Sequence, residues 1–127
     1  FTAREDDEIL TGVSFAATGG GYAYEKQKRK IGDYATAAAG VLLTMDGGSC
    51  ASASVALTNL SDTPVYCADA VDILVGSAVD DAAVAAAVKA AVDASDPVAD
   101  TRGPVDFKKY VAGVIVKKAI ESARSRA

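Results

Sequence analysis

The sequence contains no histidine and no tryptophan, and only 6% of its 127 residues are aromatic. Without histidine, catalysis by an imidazole base and metal binding through imidazole are both excluded. The two cysteines, Cys50 and Cys67, are too few for a disulfide framework, and their spacing does not match a zinc site. Such sparing use of cysteine is typical of a reducing compartment, so we expect a cytoplasmic protein whose thiols are buried as small apolar groups.

A long uncharged hydrophobic run is also missing. The stretch from Ala82 to Ala91 contains Lys89 and lies among aspartates, far short of the roughly 18 apolar residues that a membrane-spanning helix needs. We therefore predict that the chain does not span a membrane. Hydrophobic residues nevertheless make up 50% of it, with 27 alanines and 15 valines. This composition predicts one globular domain with a core of small side chains.

The N-terminal region does not resemble the start of a complete protein. The chain begins at Phe1, and an acidic run leads directly into Ile9–Ala16, whose apolar residues alternate as in a short strand. We expect that the chain is a piece of a longer one. The following Thr18–Gly21 predicts a flexible connector, because no G-x-G-x-x-G spacing accompanies it.

The middle of the chain predicts a hairpin. Residues 34–45 and 50–59 fit two long antiparallel strands joined at Gly47–Gly48, although the alanines at 37–39 are more typical of a helix.

Three helices are predicted after the hairpin. The first begins at Thr63–Pro64 and ends near Gly76, the second is capped by Asp80 or Asp81 and ends near Asp93, and the third begins at Pro104 and frays beyond Arg124. The fold class is therefore α+β, with an antiparallel sheet of three to four strands covered on one face by three helices. Eight aspartates between residues 61 and 100 make the helical layer acidic, which disfavours nucleic acid as a partner.

One short segment concentrates positive charge. Residues 22–30 carry four lysines and arginines in an otherwise acidic chain, and they belong to a cluster that runs from Tyr22 to Tyr34. A solvated charged loop explains this composition. A site for an anionic ligand with a flat ring explains it too, with cations for phosphates, tyrosine for the ring and Asp33 as an acceptor. No set of residues in the chain predicts catalysis.

Three segments resemble a known family. They are GYAYEKQKRKIGDYATAAAGVLLTMDGG, ASVALTNLSDTPVYCADA and RGPVDFKKYVAGVIVKKAIESARSRA. Together they are similar to the C-terminal domain of the medium, FAD-binding subunit of aerobic carbon monoxide dehydrogenases, which belong to the molybdenum hydroxylases, as do xanthine dehydrogenases. The resemblance extends over nearly the whole chain.

This resemblance implies that residues 1–127 form the single C-terminal domain of a longer flavoprotein subunit. FAD would be shared with the preceding half of that subunit, which carries the glycine-rich loops that this chain lacks. The implied partners are an iron-sulfur small subunit and a large subunit with a molybdenum-copper centre. Electrons released from carbon monoxide would pass through the clusters to FAD and on to an acceptor. A cytoplasmic location is implied, and association of the holoenzyme with the inner face of the cell membrane is left open.

The resemblance also implies five cofactor-binding residues, which are Tyr34, Asp33, Lys30, Lys26 and Leu10. Tyr34 would lie against the isoalloxazine ring, and the lysines would stabilise negative charge on the reduced flavin or its pyrophosphate. The loop is less acidic than in xanthine dehydrogenases, which disfavours NAD as the electron acceptor. Two other hypotheses remain: the flavoprotein domain of another molybdenum hydroxylase with an aromatic or purine substrate, and a non-catalytic module that docks subunits. The fragment alone is expected to be inactive.

Overall fold

A four-stranded antiparallel sheet covered by three helices forms the fold. In the computed structural model, which describes residues 4–15, 17 and 19–127, the strands follow one another in the order β1-β2-β3-β4. The elements are β1 Gly21–Gln27, β2 Ala37–Asp46, β3 Ser49–Thr58, β4 Val65–Tyr66, α1 Ala68–Leu74, α2 Asp81–Asp93 and α3 Val105–Arg124. Helix α3 packs on β1 and β2, α1 packs on β3, and α2 contacts both other helices. The predicted fold class is confirmed.

The β2–β3 hairpin has the predicted turn. Gly47 and Gly48 have φ values of 56° and 86°, a left-handed conformation that glycine adopts without steric cost. On β3, Val55 and Leu57 are fully buried, whereas the serines between the strand's core positions are exposed. The alanines at 37–39 are also fully buried. They lie in a strand because β2 is paired on both sides and has α3 packed on it, and this tertiary context outweighs their helix propensity.

Most of the cationic segment belongs to a strand. Strand β1 pairs with β2 in a register that places Tyr24 opposite Gly40 and Lys26 opposite Ala38. Ala23 is buried on the helix side, while Tyr22 and Tyr24 are 67% and 62% exposed. The interpretation of residues 22–27 as a loop is therefore wrong, and the period-two alternation that fixes this strand was obscured by its charge.

The predicted first strand is also wrong. Residues 9–15, all of which are described, contain no strand, and Ile9, Leu10, Val13 and Phe15 are 74–89% exposed. Alternation predicts a strand only where a partner satisfies its backbone groups, and no strand of the described sheet pairs with this segment. Phe1, Ala16 and Thr18, on which expectations about the N-terminus, this strand and the connector fell, lie outside the described residues.

The first helix begins later than predicted. Val65 and Tyr66 form β4, which pairs with Leu57 and Ala56, and the helix starts only after Cys67. Pairing of residues 65–66 with the edge of the sheet thus outweighs the tendency of the proline at residue 64 to start a helix. The other helices agree with prediction: the Asp80 side chain accepts a hydrogen bond from the Ala83 amide at 2.9 Å and caps α2.

Both thiols are buried. Cys50 and Cys67 are each 1% exposed and are not joined to each other. Burial raises the pKa of both thiols, which keeps them protonated and unreactive. Of the helices in the described ranges, none combines the length and apolar character needed to cross a membrane.

Candidate functional site

The β1–β2 loop, residues 28–36, carries three of the five predicted cofactor-binding residues, which are Lys30, Asp33 and Tyr34. It is closed at its base by a hydrogen bond from the Thr36 amide to the Gln27 carbonyl at 2.8 Å. A turn near its tip is formed by the Asp33 amide donating to the Lys30 carbonyl at 3.2 Å, with Gly32 at a φ of 81°. The loop therefore has an ordered path that places Asp33 and Tyr34 at the return into β2.

The Asp33 side chain accepts three hydrogen bonds that hold this loop together. Its Oδ2 accepts a hydrogen bond from Arg29 Nε at 3.0 Å, and its Oδ1 accepts from the Tyr34 amide and from Arg102 Nη2, both at 2.9 Å. The hydrogen bond from Arg29 is the main cause that lowers the pKa of Asp33. The Asp33 side chain is only 9% exposed. Because each carboxylate oxygen accepts at least one hydrogen bond from the protein, both oxygens are already engaged.

Tyr34 presents its ring at the surface. The residue is 77% exposed. The guanidinium carbon of Arg102 lies 5.7 Å from the centre of the Tyr34 ring, within the range of a cation–π contact. An exposed aromatic ring backed by a planar cation can stack against a flat ligand ring.

A small cavity lies beside Tyr34. It has a volume of about 230 Å³ and is bounded by Tyr34, Asn59, Val98 and Arg102 among others. The Asn59 side-chain Nδ2 donates to the Ala35 carbonyl at 2.7 Å and fixes the start of β2. Arg102 Nε is buried and has no acceptor among the described residues, so this donor lacks the partner that buried polar groups usually have.

The remaining predicted residues are more dispersed. Lys26 lies on β1 and Lys30 on the β1–β2 loop; both are exposed, and neither forms an ion pair within the described part of the chain. Leu10 is 74% exposed on the segment 4–15. The hydrogen bonds described for that segment join only Arg4, Glu5 and Glu8, so none connects Leu10 to the β1–β2 loop.

Arg102 is the site residue that sequence reasoning missed. It is 69 positions from Asp33, on the turn between α2 and α3, and no local pattern connects the two. Its only sequence signal was membership in the third family-like segment, where no role was assigned to it.

The chemistry of the site favours part of a large ligand. Its cavity is smaller than the roughly 300–1,000 Å³ typical of complete small-molecule pockets. A larger groove of about 450 Å³ lies between α2 and α3, and its lining includes Asp81 and Glu121. None of the five predicted cofactor-binding residues lines this groove. No three acidic or cysteine side chains in the described ranges lie close enough to hold a metal ion. The exposed Tyr34 ring and the Arg102 guanidinium beside it fit contact with one part of a flat ligand.

Comparison with known proteins identifies clear relatives. Residues 22–123 match the sequence model of the family described as CO dehydrogenase flavoprotein C-terminal domain. The chain is 50% identical to the carbon monoxide dehydrogenase medium chain of Afipia carboxidovorans, and the match covers 100% of this chain and 45% of that protein. It is 32% identical to the 6-hydroxypseudooxynicotine dehydrogenase complex subunit alpha of Paenarthrobacter nicotinovorans, over 86% of this chain and 37% of the relative.

A solved structure agrees with these matches. The reconstituted CO dehydrogenase from Oligotropha carboxidovorans superposes with a TM-score of 0.82 and 52% identity, covering 84% of this chain and 37% of that one. The chain thus spans less than half the length of the relatives it matches.

Proposed function

The chain belongs to the family of CO dehydrogenase flavoprotein C-terminal domains, and we propose that it is the C-terminal domain of the FAD-binding medium subunit of an aerobic carbon monoxide dehydrogenase. In this role it passes electrons from iron-sulfur clusters to FAD, and on to an acceptor, while carbon monoxide is oxidised to carbon dioxide. The observation that carries the proposal is the 50% identity to a CO dehydrogenase medium chain over the whole length of this chain.

Tyr34 is the residue that meets the cofactor. Its ring is 77% exposed, and a ring fixed at the surface of a loop can cover one face of the isoalloxazine and limit access of water or oxygen. FAD, when bound, supplies the redox chemistry, and the protein positions and tunes it. The chain leaves the rest of the pocket to the preceding half of the subunit, in keeping with the small volume of the cavity beside Tyr34.

The other predicted residues support this contact. Lys26 on β1 and Lys30 on the β1–β2 loop are exposed cations, and they stabilise negative charge on the reduced flavin or its pyrophosphate. Asp33 acts through the protein, because both of its oxygens already accept hydrogen bonds from Arg29, Arg102 and the Tyr34 amide. Leu10 contributes an apolar contact once the segment 4–15 is covered by the rest of the subunit.

The proposed assembly contains two further subunits. FAD is shared with the preceding half of the subunit, the iron-sulfur clusters lie in a small subunit, and the molybdenum-copper centre lies in a large subunit. The whole complex works in the cytoplasm. This domain contributes a cofactor contact and subunit packing, and the oxidation of carbon monoxide takes place in the large subunit.

A second substrate class is the main competitor. The relative at 32% identity belongs to a dehydrogenase complex named for an aromatic nitrogen compound. The higher identity to the CO dehydrogenase chain favours carbon monoxide. A subunit-docking module without a cofactor role is the third possibility.

Purification of the complex from its natural host through a tag on this chain tests the proposal. We expect FAD and carbon monoxide-dependent reduction of a dye, and in Tyr34→Ala we expect weaker FAD retention and an altered flavin spectrum, with Tyr34→Phe close to wild type. Oxidation of an N-heteroaromatic compound without carbon monoxide oxidation would assign the competing substrate class. Unchanged flavin spectrum, FAD retention and turnover in Tyr34→Ala would overturn the role of Tyr34. FAD titration of the preceding half of the subunit with and without this domain tests the third possibility, and FAD binding to which this domain contributes nothing would assign the docking module.

A further inference from the structure

Resting on the proposed contact between Tyr34 and the flavin, we propose that Arg102 is a positioning residue that holds the Tyr34 ring ready for the cofactor. Arg102 lies on the turn between α2 and α3, in the C-terminal half of the chain. It would act on the cofactor through Tyr34. A residue between two helices would thus set the position of a tyrosine on the β1–β2 loop.

The contact geometry supports this role from two directions. Arg102 Nη2 donates to Asp33 Oδ1 at 2.9 Å, while its guanidinium carbon lies 5.7 Å from the centre of the Tyr34 ring. The same Oδ1 accepts from the Tyr34 amide at 2.9 Å. One carboxylate therefore fixes both the backbone of Tyr34 and the cation beside its ring, which couples the ring's position to Arg102.

Arg102 is itself held rigidly. Its side chain is 18% exposed. Its amide donates to Asp100 Oδ1 at 2.8 Å, and Asp100 and Gly103 exchange two backbone hydrogen bonds at 3.1 and 3.2 Å. Gly103 has a φ of 145°, and a side chain there would collide with the ring of Phe107. The turn that presents Arg102 thus has little freedom to change shape.

A second ion pair secures the base of the same turn. Lys108, on the first turns of α3, donates to the Val98 carbonyl at 2.7 Å and lies 2.9 Å from Asp100 Oδ2. The chain from residue 98 to 108 is therefore closed on itself. These contacts fix the backbone at Arg102, whose side chain extends to the β1–β2 loop.

Fixing an exposed tyrosine has a consequence for binding. A free surface tyrosine samples several side-chain rotamers, and a ligand that stacks on it must select one of them. A ring already held by Arg102 loses less conformational freedom on binding, which strengthens the complex without a new contact to the ligand. Loss of a cation–π contact of this type corresponds to roughly two- to fivefold weaker binding.

The chain provides a matched control. Arg126 lies 5.6 Å from the centre of the Tyr22 ring and donates to the Tyr22 carbonyl at 2.7 Å. Arg126→Met therefore removes an arginine–tyrosine pair of the same kind at a position where Tyr34 takes no part.

The first measurement needs no cofactor. In the 127-residue chain, three-bond NMR couplings report the χ1 rotamer of each tyrosine, and amide dispersion reports the fold. We expect couplings weighted toward one Tyr34 rotamer in wild type and in Arg126→Met, by the roughly two- to fivefold preference that a cation–π contact provides, and more evenly averaged couplings in Arg102→Met. Arg102→Lys keeps a cation for Asp33 but lacks the planar group, so it provides a milder variant, in which we also expect more even averaging. Wild-type couplings for Tyr34 in folded Arg102→Met or Arg102→Lys overturn the proposal.

The second measurement separates this inference from the proposed function. In the flavoprotein complex purified with this chain, we expect FAD affinity to fall about two- to fivefold in Arg102→Met, with no further loss when Arg102→Met is added to Tyr34→Ala. Full additivity of the two changes overturns the positioning role. Averaged couplings with unchanged FAD affinity in both Arg102→Met and Tyr34→Ala would instead overturn the flavin role of Tyr34, and Arg102 would then only anchor the loop.

Discussion

The ammonium group of Lys108 lies 2.9 Å from the carboxylate of Asp100, and Lys108 is only 3% exposed. It also donates to the Val98 carbonyl at 2.7 Å. A buried cation is tolerated only when its hydrogen bonds are satisfied. This pair therefore joins the start of α3 to the turn that carries Arg102. The same contact stabilises the fold and fixes the position of that turn.

Replacing this lysine should reduce stability. We expect Lys108→Met to lower the free energy of unfolding by roughly 1–3 kcal/mol, because the Val98 carbonyl and the Asp100 carboxylate lose their partner. Lys117→Met, on the exposed side of α3, removes only a solvated pair with Glu121 and should cost less than about 0.5 kcal/mol. Denaturant unfolding of both variants checks this, and equal effects would contradict it.

Two glycines of the sheet should respond differently to the same substitution. A Cβ at Gly21 would overlap the backbone of Ala123 and Ala127, whereas a Cβ at Gly40 would meet only the Tyr24 ring at 3.7 Å. We expect Gly21→Ala to destabilise the protein by roughly 1–3 kcal/mol, since the C-terminal end of α3 must move. Gly40→Ala should change stability by less than about 1 kcal/mol. Thermal unfolding of the two variants measures the difference. Similar unfolding midpoints for Gly21→Ala and Gly40→Ala would show that β1 and the C-terminal end of α3 are not in tight contact.

Acid should weaken the site only at low pH. Hydrogen bonds, chiefly from Arg29 to Asp33 and from Lys108 to Asp100, lower the pKa of both carboxyls. A lowered folded-state pKa means that the stabilisation is complete above the unfolded value of about 3.9 and is lost as pH falls through the folded value. The stability difference between wild type and Asp33→Asn should thus stay constant from about pH 8 to 5 and shrink below about pH 4. Denaturant unfolding across this range measures it, with Asp62→Asn as the control, and a difference that already shrinks near neutral pH would refute the expectation.

The exposed lysines should act on the flavin through charge. We expect the double variant Lys26→Gln, Lys30→Gln to bind FAD about two- to thirtyfold more weakly in the assembled flavoprotein, since each of the two exposed charges contributes about 0.2–1 kcal/mol. The effect should diminish at high salt. Lys89→Gln, on α2 and paired with Asp93, is the matched control. FAD titration at two salt concentrations is the measurement, and a salt-independent loss would show that the lysines act by packing.

The sequence predicted what depends on local patterns. The hairpin at Gly47–Gly48, the cap at Asp80 and the burial of Cys50 and Cys67 all follow from nearby residues, and the structure confirms them. The fold class followed from the order of these elements. The family was predicted from three quoted segments, and the comparisons show it.

Sequence patterns failed where pairing with a distant strand decides the outcome. The alternation of Ile9–Ala16 predicted a strand that residues 9–15 do not form, while residues 22–27, interpreted as a charged loop, lie in the strand β1 because β2 supplies a partner. Val65–Tyr66 lies in β4 for the same reason, although the preceding proline favoured a helix. In each case the edge of an existing sheet outweighed the local signal.

Residue types alone determined that these 127 residues contribute no histidine chemistry, that their core is built from small side chains, and that one segment combines cations with tyrosines. Only the tertiary structure decided that Asp33 is bound by the protein on both oxygens and that Arg102 stands beside Tyr34. The physical reason is distance along the chain: a contact across 69 residues arises from the packing of the helical layer on the sheet, and no periodicity or local spacing encodes it.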